Sequence, residues 1–219
     1  MEEFQIDPDK AALDRITKEI GGLAYKAPTI LKEAANATGK YALKLTLLEA
    51  EKRYDYNHAK INLASEVRRK SATYANPRTV ISVKSHMNKM IHFNVTPGRV
   101  ANVSGRPDSY KGRVLRSSSM KTLYDHERGG VKMFMVRFKK GGIQVVSRVP
   151  GEKYSSESGG KLKERMEKKL DTTKIDVVHA PSETHMFSKT WSGVDAKVAE
   201  KLQQNTKRYI NKFLKGVEK

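Results

Sequence analysis

Residues 134–148 read FMVRFKKGGIQVVSR. Phe134, Val136 and Phe138 alternate with Met135 and Arg137; Ile143, Val145, Ser147 and Val149 alternate with Gln144, Val146 and Arg148. A period of two is the pattern of a strand with one covered face. Between the arms, Lys139-Lys140-Gly141-Gly142 suits a hairpin turn, because glycine takes positive φ without steric penalty. The stretch predicts an antiparallel hairpin that packs Phe134, Val136 and Phe138 against a core, with Lys139, Lys140 and Arg148 at its edge.

More strands flank it. ASEVRRKSAT and RTVISVKS predict two short strands turned at Tyr74-Ala75-Asn76-Pro77, and IHFNV at 91–95 a third, broken by Pro97-Gly98. The Gly-, Ser-, Pro- and Arg-rich residues 99–119 predict a long basic loop with one strand pairing near Val114. Beyond the hairpin, residues 150–160 predict a flexible arm, KLKERMEKKL a charged helical piece, and IDVV at 175–178 a strand.

Helices close both ends. Asp7-Pro8 opens a short one carrying Leu13, Ile16 and Ile20 up to Gly21-Gly22. Pro28 opens a longer one, with Ile30, Leu31, Ala34, Thr38, Tyr41, Leu45 and Leu48 on one face as far as about Arg53. At 1.5 Å per residue it spans roughly 40 Å. Near the C-terminus, Ser192 and Asp195 resemble a capping box ahead of Val194, Val198, Leu202, Ile210 and Phe213, and Lys212, Lys215 and Lys219 suit the negative end of that helix. The expected class is α+β, with long N-terminal helices, a central mainly antiparallel sheet and a C-terminal helix. Its 219 residues suggest a single domain.

The net charge is +19, and residues 56–170 carry 25 basic and 8 acidic side chains, almost all of the excess. Such a field favours a polyanion or an acidic protein surface. With 37% apolar and 31% charged residues, part of the chain is expected to order only in an assembly. The absence of cysteine excludes disulfides, thiol nucleophiles and thiolate metal sites. The acidic start MEEFQIDPDK lacks the features of a secretory signal and no 18-residue apolar run occurs, so no membrane association is expected.

Nothing nominates catalysis, a metal or another cofactor. His58, His86, His92, His126, His179 and His185 include no pair at metalloprotease spacing. Asp108 with Lys111 has the outline of a nuclease fragment, but such a site needs at least two acids on adjacent strands. The strongest chemical feature is the cations themselves: Arg68, Arg69 and Lys70, then Arg137, Lys139, Lys140 and Arg148, then the lysines of 161–169. Phosphate contacts need only such charges in register. Aromatic residues are 7% of the chain and are not interleaved with the basic runs, so base stacking is not supported.

In order along the chain, LKEAANATGKYALKL, INLASEVRRKSATYANPRTVISV, MIHFNVTP, FMVRFKKGGIQVVSRVPG and IDVVHAPSETHM resemble the minor tail protein Z, or tail completion, family of long-tailed bacteriophages. The matching positions include Phe93, Pro97, Phe138, Arg148, Gly151, Pro181, Ser182 and Met186. The chain departs at Ala180, where the family often has glycine, and in a charged insertion at about 152–174. The resemblance implies a non-enzymatic virion protein, made in the host cytoplasm, that completes the head-proximal end of the tail. It also implies a ring of its own copies, six by analogy, at the neck between head and tail. The neighbours would be tail tube, tail terminator or head-tail connector proteins, and cations around such a ring could face genomic DNA in the lumen or an acidic tube surface. The alternative from charge alone is a nonspecific nucleic-acid-binding protein.

Overall fold

The structure, a computed structural model, describes residues 2–8, 14, 17–18, 25–100, 107–139, 142–153 and 173–217. Its architecture is α+β: a long N-terminal helix, several small antiparallel sheets and C-terminal helices. By contacts the chain divides into two compact units, the first made of Met1–Tyr54, Asn62–His86 and Pro181–Lys219, the second of Asp55–Ile61 and Met87–Ala180. Leu13, Ile16 and Ile20 of the expected first helix lie outside the described residues, as do the charged piece at 161–170 and most of the insertion.

In the first unit, α1 (Ala27–Arg53) has Pro28 in its opening turn and Lys52 and Arg53 at its negative end. Its buried line starts with Ile30, Leu31 and Ala34 and continues through small side chains, Thr38, Gly39, Ala42, Thr46 and Ala50. The sequence places Tyr41, Leu45 and Leu48 on this face; Tyr41 and Leu45 are half-buried and Leu48 is 43% exposed. Small residues hold the inner position because the helix lies close against a sheet.

That sheet contains β1 (Glu2–Ile6), β2 (Val67–Lys70) and β3 (Thr79–Val83), with β3 in the middle and antiparallel to both neighbours. The β2–β3 pair follows the predicted hairpin. The first strand was not predicted, although the alternation of Phe4 and Ile6 with Glu3 and Gln5 is its signal. Phe4, Ile6, Ile81 and Val83 form the covered face and meet Ala42, Phe187, Val194 and Val198. The rings of Phe187 and Trp191 stand 5.0 and 5.1 Å from that of Phe4, at distances favourable for aromatic pairs.

The C-terminal region is two helices, where the sequence predicts one. In α2 (Glu183–Trp191), the Ser182 hydroxyl accepts the N–H of His185 as an N-cap. Ser192 ends this helix and its hydroxyl donates back to the carbonyl of Lys189, so the expected capping box gives way to a C-terminal turn. α3 (Asp195–Val217) then lies along α1: Ile210 joins Ala27, Ile30 and Leu31, and Asn205 Nδ2 donates to the buried Thr38 hydroxyl at 2.9 Å.

The second unit is a set of short antiparallel pairings. β10 (Phe134–Phe138), β11 (Gly142–Lys153) and β12 (Thr173–Val177) form one sheet with β11 central, and β4 (Asn88–Lys89) pairs with β13 (His179–Ala180). β5 (Asn94–Thr96), β6 (Lys111–Arg113) and β7 (Lys121–Thr122) form another, and β8 (Tyr124–Asp125) pairs with β9 (Val131–Lys132). The expected loop at 99–119 thus contains β6, and β11 extends over residues 150–153 of the expected arm. Of the strand predicted at 91–95, Ile91 and His92 belong to the 3₁₀ turn Met90–His92 and the strand begins at Asn94.

The close helix–sheet contact is testable. A Cβ added at Gly39 would lie 2.4 Å from Cγ2 of fully buried Thr79. Gly39→Ala gains up to about 1 kcal/mol of helix propensity but overpacks this contact at a cost of about 1–3 kcal/mol, so a net loss of stability is expected. In a Thr79→Ser background, which removes Cγ2, the same substitution should become neutral or stabilising. Urea denaturation of the four proteins in this cycle measures the difference.

Candidate partner and nucleic-acid interface

The first cation cluster lies on β2, an edge strand, where alternation separates its members. Arg69 turns toward α1: its Nη1 donates to Asn36 Oδ1 at 3.4 Å. The same oxygen accepts the Ala72 N–H at 2.9 Å and the Thr79 hydroxyl at 3.3 Å, and Asn36 Nδ2 donates to the Ala72 carbonyl at 3.2 Å. Arg69 is therefore part of a polar joint between helix and sheet. Arg68 and Lys70 point to the opposite face and are exposed. These two are the cations of the cluster open to a partner.

The second cluster lies on the β10–β11 hairpin of the other unit. Phe138 pairs with Gly142, whose φ of +68° supplies the turn conformation expected of glycine. Arg137 and Lys139 are exposed, and Lys140 lies outside the described residues. The guanidinium of Arg148 sits 5.3 Å from the ring centre of Phe134, within cation–π range, so Arg148 is tied to the sheet. The expected core face is corrected here. Met135 is the buried residue of β10, while Phe134, Val136 and Phe138 are half-buried. On the central strand, Gln144, Val145, Val146 and Ser147 are all buried, so both faces are covered there and simple alternation fails.

The motif residues hold structural positions. Phe93 is buried with its ring edge-on to Tyr56 at 6.5 Å; Pro97 follows a cis peptide bond at the end of β5. Gly151 has a φ of +79°, Pro181 precedes the capping Ser182, and Met186 is fully buried. Asp108 is exposed, and no group of three or more His, Asp or Glu among the described residues is placed to hold a metal ion. No helix among the described residues is long and apolar enough to cross a membrane.

The second unit also holds an electrostatic joint on Asp55 that no local sequence pattern signals. Asp55 Oδ2 accepts from Arg113 Nε at 2.5 Å and from Asn94 Nδ2 at 3.0 Å, and Arg116 lies 3.8 Å from Oδ1. Its backbone N–H donates to the Val114 carbonyl, and its own carbonyl accepts from Asn94. Burial pushes the Asp55 carboxyl up, but the hydrogen bonds from Asn94 and Arg113 and the charges of Arg113 and Arg116 outweigh it and hold the group below its ordinary value. In a more exposed network, Arg128 donates to Asp176 at 2.8 Å and lies 3.6 Å from Asp125, while Lys174 meets Glu152 at 2.7 Å. The arrangement consumes cations in internal ion pairs and offers others to a partner.

Known protein families, curated proteins and solved structures were compared with this chain, and none matches. The reading of the site therefore rests on its own residues.

Asp55→Asn keeps the side-chain shape and removes its charge, and is expected to cost about 2 kcal/mol at neutral pH. Because folding lowers this pKa, the contribution is complete above the ordinary carboxylate range and is lost as pH falls through the lowered value. Chemical denaturation from neutral to acidic pH should show the gap between the wild type and variant closing. A constant gap would assign the loss to packing.

Proposed function

We propose that this chain is a structural virion protein of a tailed phage that completes the head-proximal end of the tail as a ring subunit at the neck. The observation that carries the reading is the order of the resembling segments, whose key residues occupy constrained positions: Phe93 in a core, Ser182 capping α2 and Met186 fully buried. The exposed Arg68, Lys70, Arg137 and Lys139 supply cations for an acidic tube surface or for DNA in a lumen. Partners in this reading are its own copies, six by analogy, and neighbouring tail tube, tail terminator or connector proteins.

A second reading, nonspecific binding to nucleic acid, is favoured by the net +17 of residues 56–170. It requires affinity that falls linearly with log salt concentration, by about 0.9 per phosphate neutralised on duplex DNA.

Electron microscopy of purified particles carrying a gold-labelled tag on the C-terminal end should place the label at the head-tail junction. Labelling elsewhere, or particles without label while the tagged protein is expressed, overturns the neck reading. Arg137→Glu with Lys139→Glu should fold normally, since both side chains are exposed, and should reduce the yield of infectious particles. If duplex DNA is the partner, this double variant should also lower the salt slope by about 2.

A further inference from the structure

The sheet of the first unit ends in edges of opposite charge. On β1, Glu3 is exposed and Glu2 half-buried, while the exposed, neutral Gln5 accepts from Arg78 Nη1 at 2.9 Å; on β2, Arg68 and Lys70 are exposed. Among the described residues no further strand pairs with the outer edge of either. Such an edge presents unpaired backbone donors and acceptors, a template on which another chain adds as a strand.

Register makes the two edges complementary. β1 and β2 both run antiparallel to β3 and are therefore parallel to each other. Glu3 and Arg68 lie on either side of Ser82; Gln5 and Lys70 lie on either side of Val80. A second copy continuing the sheet in this register brings its Glu3 beside Arg68 and its Gln5 beside Lys70. Like edges do not match: β1 against β1 opposes glutamates, and β2 against β2 opposes cations, arrangements that destabilise strand pairs. Charge thus favours the head-to-tail pairing over the symmetric ones.

We propose that the β1 edge of one copy adds to the β2 edge of the next, so that the sheet continues from subunit to subunit. A head-to-tail contact of this kind closes into a ring or extends as a filament, according to the rotation between copies. The inference draws on the sheet alone and goes beyond the neck reading.

The absence of native cysteine provides a clean test. Glu3→Cys with Arg68→Cys introduces two exposed thiols separated within one copy by β3, roughly 10 Å at the usual strand spacing. That exceeds the Cα separation of about 7 Å that a disulfide spans, so a bond between the two positions joins different copies. Oxidation of the purified double variant should give a ladder of covalent dimers, trimers and larger species, while each single variant, whose like edges do not meet, should stay monomeric. Sedimentation provides a second readout: Glu3→Lys and Arg68→Glu should each lose the association of the wild type, and mixing the two should restore it. Circular dichroism should match the wild type in every case. A double-cysteine variant that stops at the dimer or stays monomeric overturns the proposal, as do charge variants that associate like the wild type. Either result leaves the gold-label position, and with it the neck reading, unaffected.

Discussion

The close approach of α1 to β3 governs the rest of the first unit. Gly39 lets the helix backbone lie against Thr79, and the small side chains of Ala42, Thr46 and Ala50 keep the approach open along the helix. A helix this near the sheet leaves little room for large groups between them, so the bulk of the core comes from the sides: Phe4 from β1 and Phe187, Val194 and Val198 from the C-terminal helices. The polar groups trapped by this closeness are matched. Asn36 satisfies Ala72 and Thr79, Thr46 donates to the Ala42 carbonyl, and Thr38 receives Asn205. Unpaired, each would cost a substantial part of the unit's stability.

The second unit is organised by charge as much as by apolar packing. Asp55 fastens residues near Asn94 and Arg113, which come from neighbouring strands, and Arg128 ties Asp125 to Asp176. Part of the cation excess in residues 56–170 is offset from outside that stretch, by Asp55 on Arg113 and Asp176 on Arg128. Arg69, Arg113, Arg128 and Arg148 all have internal partners, and Arg68, Lys70, Arg137 and Lys139 are the exposed members of the clusters first noticed in the sequence.

What was legible follows from the range of the interactions. The span of α1, the β2–β3 hairpin, the β10–β11 pairing and the last helix are written in local periodicity and in Pro and Gly positions, and they emerge where the sequence puts them. The first half of α1's inner face, Ile30, Leu31, Ala34 and Thr38, is buried as its periodicity predicts; in the second half Gly39, Ala42, Thr46 and Ala50 hold the inner position that periodicity gives to Tyr41, Leu45 and Leu48. Met135 was misassigned because alternation assumes one dry face, and the strand beside it is covered on both. Asp55 could not be recognised: its partners stand 39 and 58 residues away, and no local pattern links them. Among the candidate cations, spacing revealed the clusters but not which member turns inward.

The first unit is assembled from three stretches of chain, and its opening strand rests on aromatic side chains from near the other end. During synthesis, Phe4 leaves the ribosome about 180 residues before Phe187 and Trp191 exist to cover it, so this unit cannot close until that region has been made. Contacts of such sequence separation slow folding through their loop-closure entropy. The second unit, drawn mainly from one continuous stretch, carries no such dependence on the last helices. The second unit can then be completed first and the first unit last, so an interrupted chain would display an unfinished sheet.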